Sequence, residues 1–155
     1  MRRKDRQREE AFAWDVLAAA PYATLAMADG EKPYCIPITP AVDRDYGVIY
    51  FHCAAEGEKL EILRRNSAVC LSAVSRMSVL SKRFALSYDS AVVKGAVSEV
   101  TDEGEKIKAL LLLSTQYDPA GMAGFEDALE RMLAATVVVK ITPEEIAGKQ
   151  ANPSQ

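Results

Sequence analysis

The sequence predicts a mainly β protein: about six antiparallel strands closed into a small barrel, with helices at the margins. Three observations carry this. Short runs rich in β-branched and aromatic residues recur along the chain, at 23–28, 34–39, 48–53, 68–74, 87–100 and 136–141. Tight-turn signals such as Asp29-Gly30 and Arg44 to Gly47 separate several of them, which favours antiparallel neighbours. The helical patterns lie at the margins of these runs, and strands that follow one another through turns favour a sheet closed into a small barrel.

Asp5 to Ala20 reads as the first helix. Phe12, Val16 and Ala19 recur on one face, Asp5 is the candidate N-cap, and Pro21 stops it. ATLAMA and YCIPIT form a hairpin around Asp29-Gly30, and Pro37 marks the second strand as an edge or a bulge. Val48 to Cys53 is a strand, Glu56 to Asn66 a helix with Leu60 and Leu63 inward, and Ala68 to Val74 a strand again. Ser87 to Val100 is a longer strand in which Gly95 predicts a bend or bulge. Thr101 is the candidate N-cap of a helix from Asp102 to Tyr117, whose first carboxylates suit the positive end of the helix dipole. Asp118 to Gly121 is a loop, Phe125 to Ala134 a short helix, and Thr136 to Ile141 the last strand. Residues 1–148 form one domain, and 149–155 are expected to be a disordered tail.

Composition narrows the function. At 155 residues the chain buries a core without cross-links, and 49% hydrophobic with 26% charged residues is ordinary for a soluble domain. A net charge of -3 and the absence of a basic patch argue against nucleic acid as a partner. Cys35, Cys53 and Cys70 are odd in number and lie in apolar runs, as free thiols do in a reducing compartment. One histidine and no close cysteine pair argue against a metal site. The basic MRRK start leads into the charged DRQREEAF, so no export signal is expected. The longest leucine run, Leu110 to Leu113, is far below membrane-span length. A cytoplasmic protein with no membrane partner is the expectation.

The stretch YFHCAAEGEKLEIL, Tyr50 to Leu63, concentrates the chemistry. A strand hands over to a helix at Gly57. The first amides of that helix lack internal acceptors and, with Lys59 in the first turn, could hold an anion such as a phosphate. The alternative is a solvated helix start, with Glu56 and Glu58 in favour of it. His52 shares a face with Tyr50; it is either a ligand-facing group or a hydrogen-bonded structural ring. In YCIPITP, Tyr34, Ile36 and Ile38 share one face and Cys35 and Thr39 the other, and Pro37 and Pro40 free backbone groups for a planar ligand or simply protect an edge. Tyr88 and Ser90 share a face of their strand. There is no nucleophile elbow, no P-loop and no GxGxxG.

Together, APYATLAMADGEKPYCIPI, GVIYFHCAAEGEKLEILRRNSAVCLS and YDSAVVKGAV resemble the FMN-binding split-barrel superfamily related to pyridoxamine 5'-phosphate oxidase. The opening RRKDR, the YFHxAxEGxK core and the closing TPEEIAGK are most similar to 5-nitroimidazole antibiotic resistance (Nim-type) proteins; Arg76 to Leu86 departs from that pattern. The resemblance implies a homodimer with FMN between two six-stranded split barrels. It implies that Lys59 and its helix start bind the phosphate. It places Tyr34, Ile36, Pro37, Ile38, Thr39, Tyr50, Phe51, His52 and Cys53 along the isoalloxazine, with Ser90 completing the pocket. His52 would take part in handling a small-molecule substrate, in an oxidoreductase acting on nitroaromatic or other electron-poor acceptors. The same barrel also admits a non-catalytic flavin-binding or sequestering role, or a haem or deazaflavin ligand.

Overall fold

A computed structural model describes residues 4–151. The runs of branched and aromatic residues become strands β2 (Ala23–Asp29), β3 (Lys32–Ile38), β5 (Val48–Ala54), β6 (Ala68–Leu80), β7 (Ala85–Glu99) and β8 (Thr136–Ala151). Two short strands add to the expected six: β1 (Gln7–Arg8), paired with β8, and β4 (Ala41–Asp43), paired with β5. All pairs are antiparallel, in the order β3-β2-β6-β7-β8-β5-β4. The helices are α1 (Glu10–Ala19), α2 (Glu58–Arg65), α3 (Glu103–Tyr117) and α4 (Phe125–Met132).

The strands at the two ends of this order, β3 and β4, follow each other in the chain with only Thr39 and Pro40 between them. A two-residue link holds the two sheet edges within about 11 Å. The sheet must therefore curl into a barrel, yet the edges share no ladder, and the barrel is split there. Pro37 sits on this edge strand, as its sequence position suggested. Pro33 and Pro37 are four residues apart, so both missing N–H groups face the same side, away from the β2 ladder.

Alternation along the strands builds two layers. Leu25, Ile49, Phe51, Leu71, Val93 and Ile141 fill the barrel, joined by Val16 and Leu17 of α1 and Leu60 and Ile62 of α2. Each such fully buried side chain contributes about 1.5–3 kcal/mol. Val48, Tyr50 and Val138 point outward and are covered by Ala109 of α3. Tyr117 Oη and Gln116 Nε2 both donate to the Pro40 carbonyl, at 2.8 and 3.2 Å, so α3 ends bolted onto the split.

Several boundaries differ from the sequence reading, each for a physical reason. α1 starts at Glu10, after a 3₁₀ turn and β1, and its buried side is Ala13, Val16, Leu17 and Ala20 rather than Phe12, Val16 and Ala19. Asp102, not Thr101, caps α3: its carboxylate accepts from the Glu105 amide at 2.8 Å. The 118–121 loop is the start of a 3₁₀ turn, Pro119–Gly124, capped by Asp118. β6 continues past Val74 through a bulge at Ser75 and pairs with β7 as far as Leu80 and Ala85.

β8 continues past Ile141 despite Pro143, so residues 149–151 are strand and not tail; 152–155 lie outside the described residues. Pro143 is tolerated in this central strand because the register shifts there, between Lys94 and Gly95 of β7. The bulge anticipated at Gly95 of β7 falls instead on the facing strand, where Glu144 of β8 is the extra residue between the partners of Lys94 and Gly95, and Gly95 opposite it has to be glycine. A Cβ at that position would lie 2.1 Å from the Thr142 carbonyl oxygen. Gly95→Ala should therefore destabilise the fold by about 1–3 kcal/mol, the usual cost of overpacking. Chemical denaturation of both forms measures this; equal midpoints would mean the β7–β8 bulge relaxes freely.

Candidate functional site

β5 and α2 meet at the rim of the barrel. α2 is an eight-residue helix whose inner side is Leu60, Ile62 and Leu63. Its last turn is clamped by two ion pairs: Arg64 to Glu99 of β7, at 2.6 Å, and Arg65 to Asp29 of β2, at 3.0 Å. Asn66 donates to the Ala28 carbonyl at 3.1 Å and accepts from the Ala68 amide at 3.1 Å. These contacts fix the C-terminal end of α2, and with it the direction in which the N-terminal amides point.

Gly57 is the N-cap, at φ +131° and ψ 156°, a conformation that L side chains rarely adopt. Its carbonyl takes the amides of Leu60 and Glu61, at 3.0 and 3.3 Å. The Glu58 and Lys59 amides precede these and have no acceptor within the helix. No heavy atom lies within 4 Å of where a Gly57 Cβ would be, so the corner is open. Lys59 Nζ sits 5.7 Å from the centroid of the Phe51 ring, and no salt bridge holds it among the described residues. Glu56 and Glu58 are exposed to solvent. Open amides plus one unpaired ammonium fit a phosphate group.

His52 lies beside this corner on the outer face of β5, opposite Val138 of β8. Partial burial and the Lys59 charge hold its pKa below the usual 6.5. It opens onto a cavity of about 330 Å³ between the barrel wall and the two helices α3 and α4. Leu110 and Leu113 of α3, and Phe125, Leu129 and Met132 of α4, make most of the lining; Thr39, His52 and Thr136 supply a polar edge on the barrel side. The cavity exists because α4 stands off the barrel: its apolar side recurs at helical spacing, yet none of its residues is buried.

The residues singled out from sequence divide into four groups. Lys59, His52, Cys53 and Thr39 come together at the rim, whereas Phe51, expected along the cofactor, is buried in the barrel core beneath Lys59. Tyr50 does not face outward to a ligand: it is buried under α3, and its hydroxyl donates to Glu105 Oε1 at 2.8 Å, an atom that Lys140 Nζ also reaches at 2.8 Å. Burial, then Glu105, push the Tyr50 pKa far up. Tyr34, Ile36 and Ile38 pack against the barrel core, so Cys35 and Pro37 form the exposed side of β3, and Thr39 in the link that follows is exposed as well. The Pro40 carbonyl is already engaged by α3.

Ser90 lies well away, its hydroxyl donating to the Lys149 carbonyl at 3.4 Å. Glu99 marks the rim end of β7 through its pair with Arg64, and Ser90 is nine residues short of it, about 30 Å along an extended strand. One chain alone does not bring Ser90 to Lys59. Burial pushes the Cys53 thiol up, which keeps it protonated and a poor redox centre. Sequence reasoning missed the α4 side of the cavity, although the i, i+4, i+7 spacing of Phe125, Leu129 and Met132 was there to be read.

A split β-barrel with an open helix N-terminus at its rim defines the class of protein. The sequence matches the pyridoxamine 5'-phosphate oxidase family over residues 9–150, and the chain belongs to that family. No curated protein sequence matches it. Among solved structures it resembles a protein named for 5-nitroimidazole antibiotic resistance from Bacteroides thetaiotaomicron, at 23% identity and a TM-score of 0.72, over 92% of this chain and 84% of that one. An FAD-binding protein from Mesorhizobium loti shares 22% identity with a TM-score of 0.69, over 95% and 98%. An FAD- and haem-binding protein from Mycobacterium smegmatis shares 19% with a TM-score of 0.81, over 95% and 74%. At these identities the likeness is one of fold.

His52 is the only histidine, so its titration can be followed directly by NMR. A pKa below 6.5 is expected, rising in Lys59→Ala because a like charge is removed. An unchanged value in the variant would separate Lys59 from His52.

Proposed function

We propose that the chain is a flavin-dependent oxidoreductase that binds FMN and reduces small electron-poor acceptors, nitro compounds among them. The observation that carries this is the juxtaposition at the rim: an open amide corner with Lys59 on one side, and His52 at the mouth of an apolar cavity on the other. The Glu58 and Lys59 amides and the Lys59 ammonium would hold the phosphate. The flavin ring would lie toward Thr39 and His52. FMN, once reduced by an external electron donor, would supply the electrons, and the protein would position it and limit access.

The apolar walls exclude water and suit a small planar acceptor. A ring N–H of protonated His52 gives the acceptor a proton as it gains electrons. In the free chain His52 is mostly neutral at pH 7, because its pKa lies below 6.5. A phosphate dianion beside Lys59 offsets the repulsion and raises that pKa. Cofactor binding and protonation of His52 therefore support each other. The flavin- and haem-binding neighbours favour a cofactor of this kind, and two copies facing each other would let the far end of β7 in one complete the site of the other.

Absorption of the purified chain, with identification of the released cofactor, is the first test. A flavin spectrum with FMN released is expected; released FAD or a haem spectrum would replace FMN. Lys59→Ala should weaken FMN binding about 10–150-fold, as loss of a charge-assisted hydrogen bond worth about 1.5–3 kcal/mol does. Fluorescence titration reads this, and equal affinity would take Lys59 out of the site. Turnover in kcat/KM should fall as pH rises through the His52 pKa, and this limb should vanish in His52→Gln. A limb that survives the substitution means the proton comes from elsewhere.

A further inference from the structure

The arm formed by the ends of β6 and β7 stands clear of the barrel. Beyond the Ser75 bulge the two strands pair with each other as Met77 with Tyr88, Ser78 with Ser87, Val79 with Leu86 and Leu80 with Ala85. Residues 85–87 have no other strand partner among the described residues. Because side chains alternate, Met77, Tyr88, Val79 and Leu86 share one face. That face runs on over Val74 and Val92 on the outside of the barrel. Val79 is 73% exposed, and Phe84 in the turn is wholly exposed, at φ +48°. A bulky aromatic residue held in the left-handed region with no contact is a costly arrangement for a free surface. Lys82 and Arg83 stand beside it.

The same chain carries a matching socket. The cavity between α3 and α4 is apolar, and no α4 side chain that lines it is buried. Its rim is acidic, with Asp118 on the wall and Glu126 and Asp127 in the first turn of α4. A cavity of about 150 Å³ already accepts a benzene-sized ring, and this one holds about 330 Å³. Within one chain the arm cannot reach it. β7 runs fifteen residues, about 50 Å, from the arm to Glu99, and the cavity is at the Glu99 end, where the Val100 amide donates to the Val138 carbonyl at 2.9 Å.

We propose that the Met77–Leu86 arm of one copy docks on a second copy and seats Phe84 in the cavity between that copy's α3 and α4. With the two β7 strands antiparallel about a two-fold axis near Val92, each tip meets the Glu99 end of the other copy. Each copy then gives one knob and receives one, so the contact closes as a dimer and not a filament. Lys82 and Arg83 face Asp118, Glu126 and Asp127 across the joint. The partner's Phe84 then forms part of the wall beside His52, and the acceptor pocket is finished by a residue of the other copy. This contact refines the two-copy assembly proposed above and does not depend on the identity of the flavin.

Sedimentation equilibrium of the purified chain should show a dimer, with Phe84→Asp raising its dissociation constant at least about tenfold, as for a buried aromatic anchor. Phe84 is wholly exposed in the single chain, so the variant keeps its fold. In a Cys35→Ser background, a Phe84→Cys chain mixed with a Leu129→Cys chain should form a disulfide between the two chains. A dimer unmoved by Phe84→Asp, with no disulfide in the mixture, overturns the arm contact while leaving the assembly intact. A monomer at every concentration overturns both, and a monomeric chain whose arm binds anionic vesicles assigns the arm to a lipid surface instead. Absorbance in the same cell reports bound flavin separately.

Discussion

Two residues, Thr39 and Pro40, set the shape of this protein. They join strands that stand at opposite ends of the sheet order, and so short a link obliges an eight-stranded sheet to roll until its edges face. The barrel interior, the outward Val48–Tyr50–Val138 layer and the placing of α3 all follow from that closure. Because the Pro40 carbonyl is where α3 is fastened, the same link also sets one wall of the cavity.

The candidate site sits where the rolled sheet ends. A barrel rim offers strand termini, a helix start and side chains that the core does not consume. Here the core takes Ile49 and Phe51 from β5 and α3 takes Val48 and Tyr50, which leaves His52 to face the cavity. The ion pairs of Arg64 and Arg65 hold α2 by its far end, away from the corner where an anion would bind. Lys59, which is in no salt bridge among the described residues, helps burial to lower the His52 pKa, and this links the two halves of the candidate site.

Much of this was legible in the residues, and what was not has identifiable causes. Six strands, the edge position of Pro37 and the corner at Gly57 all come from local chemistry, which sequence displays; Gly95 marked an irregular ladder, but its bulge is on β8. β4 and β1 are too short to show a period. The run of β8 past Pro143 was hidden because a central-strand proline is tolerated only where the ladder is interrupted, and the bulge at Glu144 shows only once β8 is paired with β7. Alternation correctly grouped Tyr34 with Ile36 and Ile38 but could not say which group faces the core. For Tyr50 the outward face was right, and the cover of α3 was not visible. Alternation groups the Ser90 hydroxyl with Tyr88 on one strand face, and the family resemblance then places it in the pocket; the structure sets it about 30 Å along β7 from the rim.

The central claim is that an open amide corner and one lysine grip a phosphorylated flavin. Its most direct measurement is a crystal structure of the chain grown with FMN. The account predicts phosphate oxygens within hydrogen-bond distance of Lys59 Nζ and the Glu58 and Lys59 amides, with the ring beside His52. FMN seated elsewhere on the barrel, with the α2 corner holding only water, would contradict it.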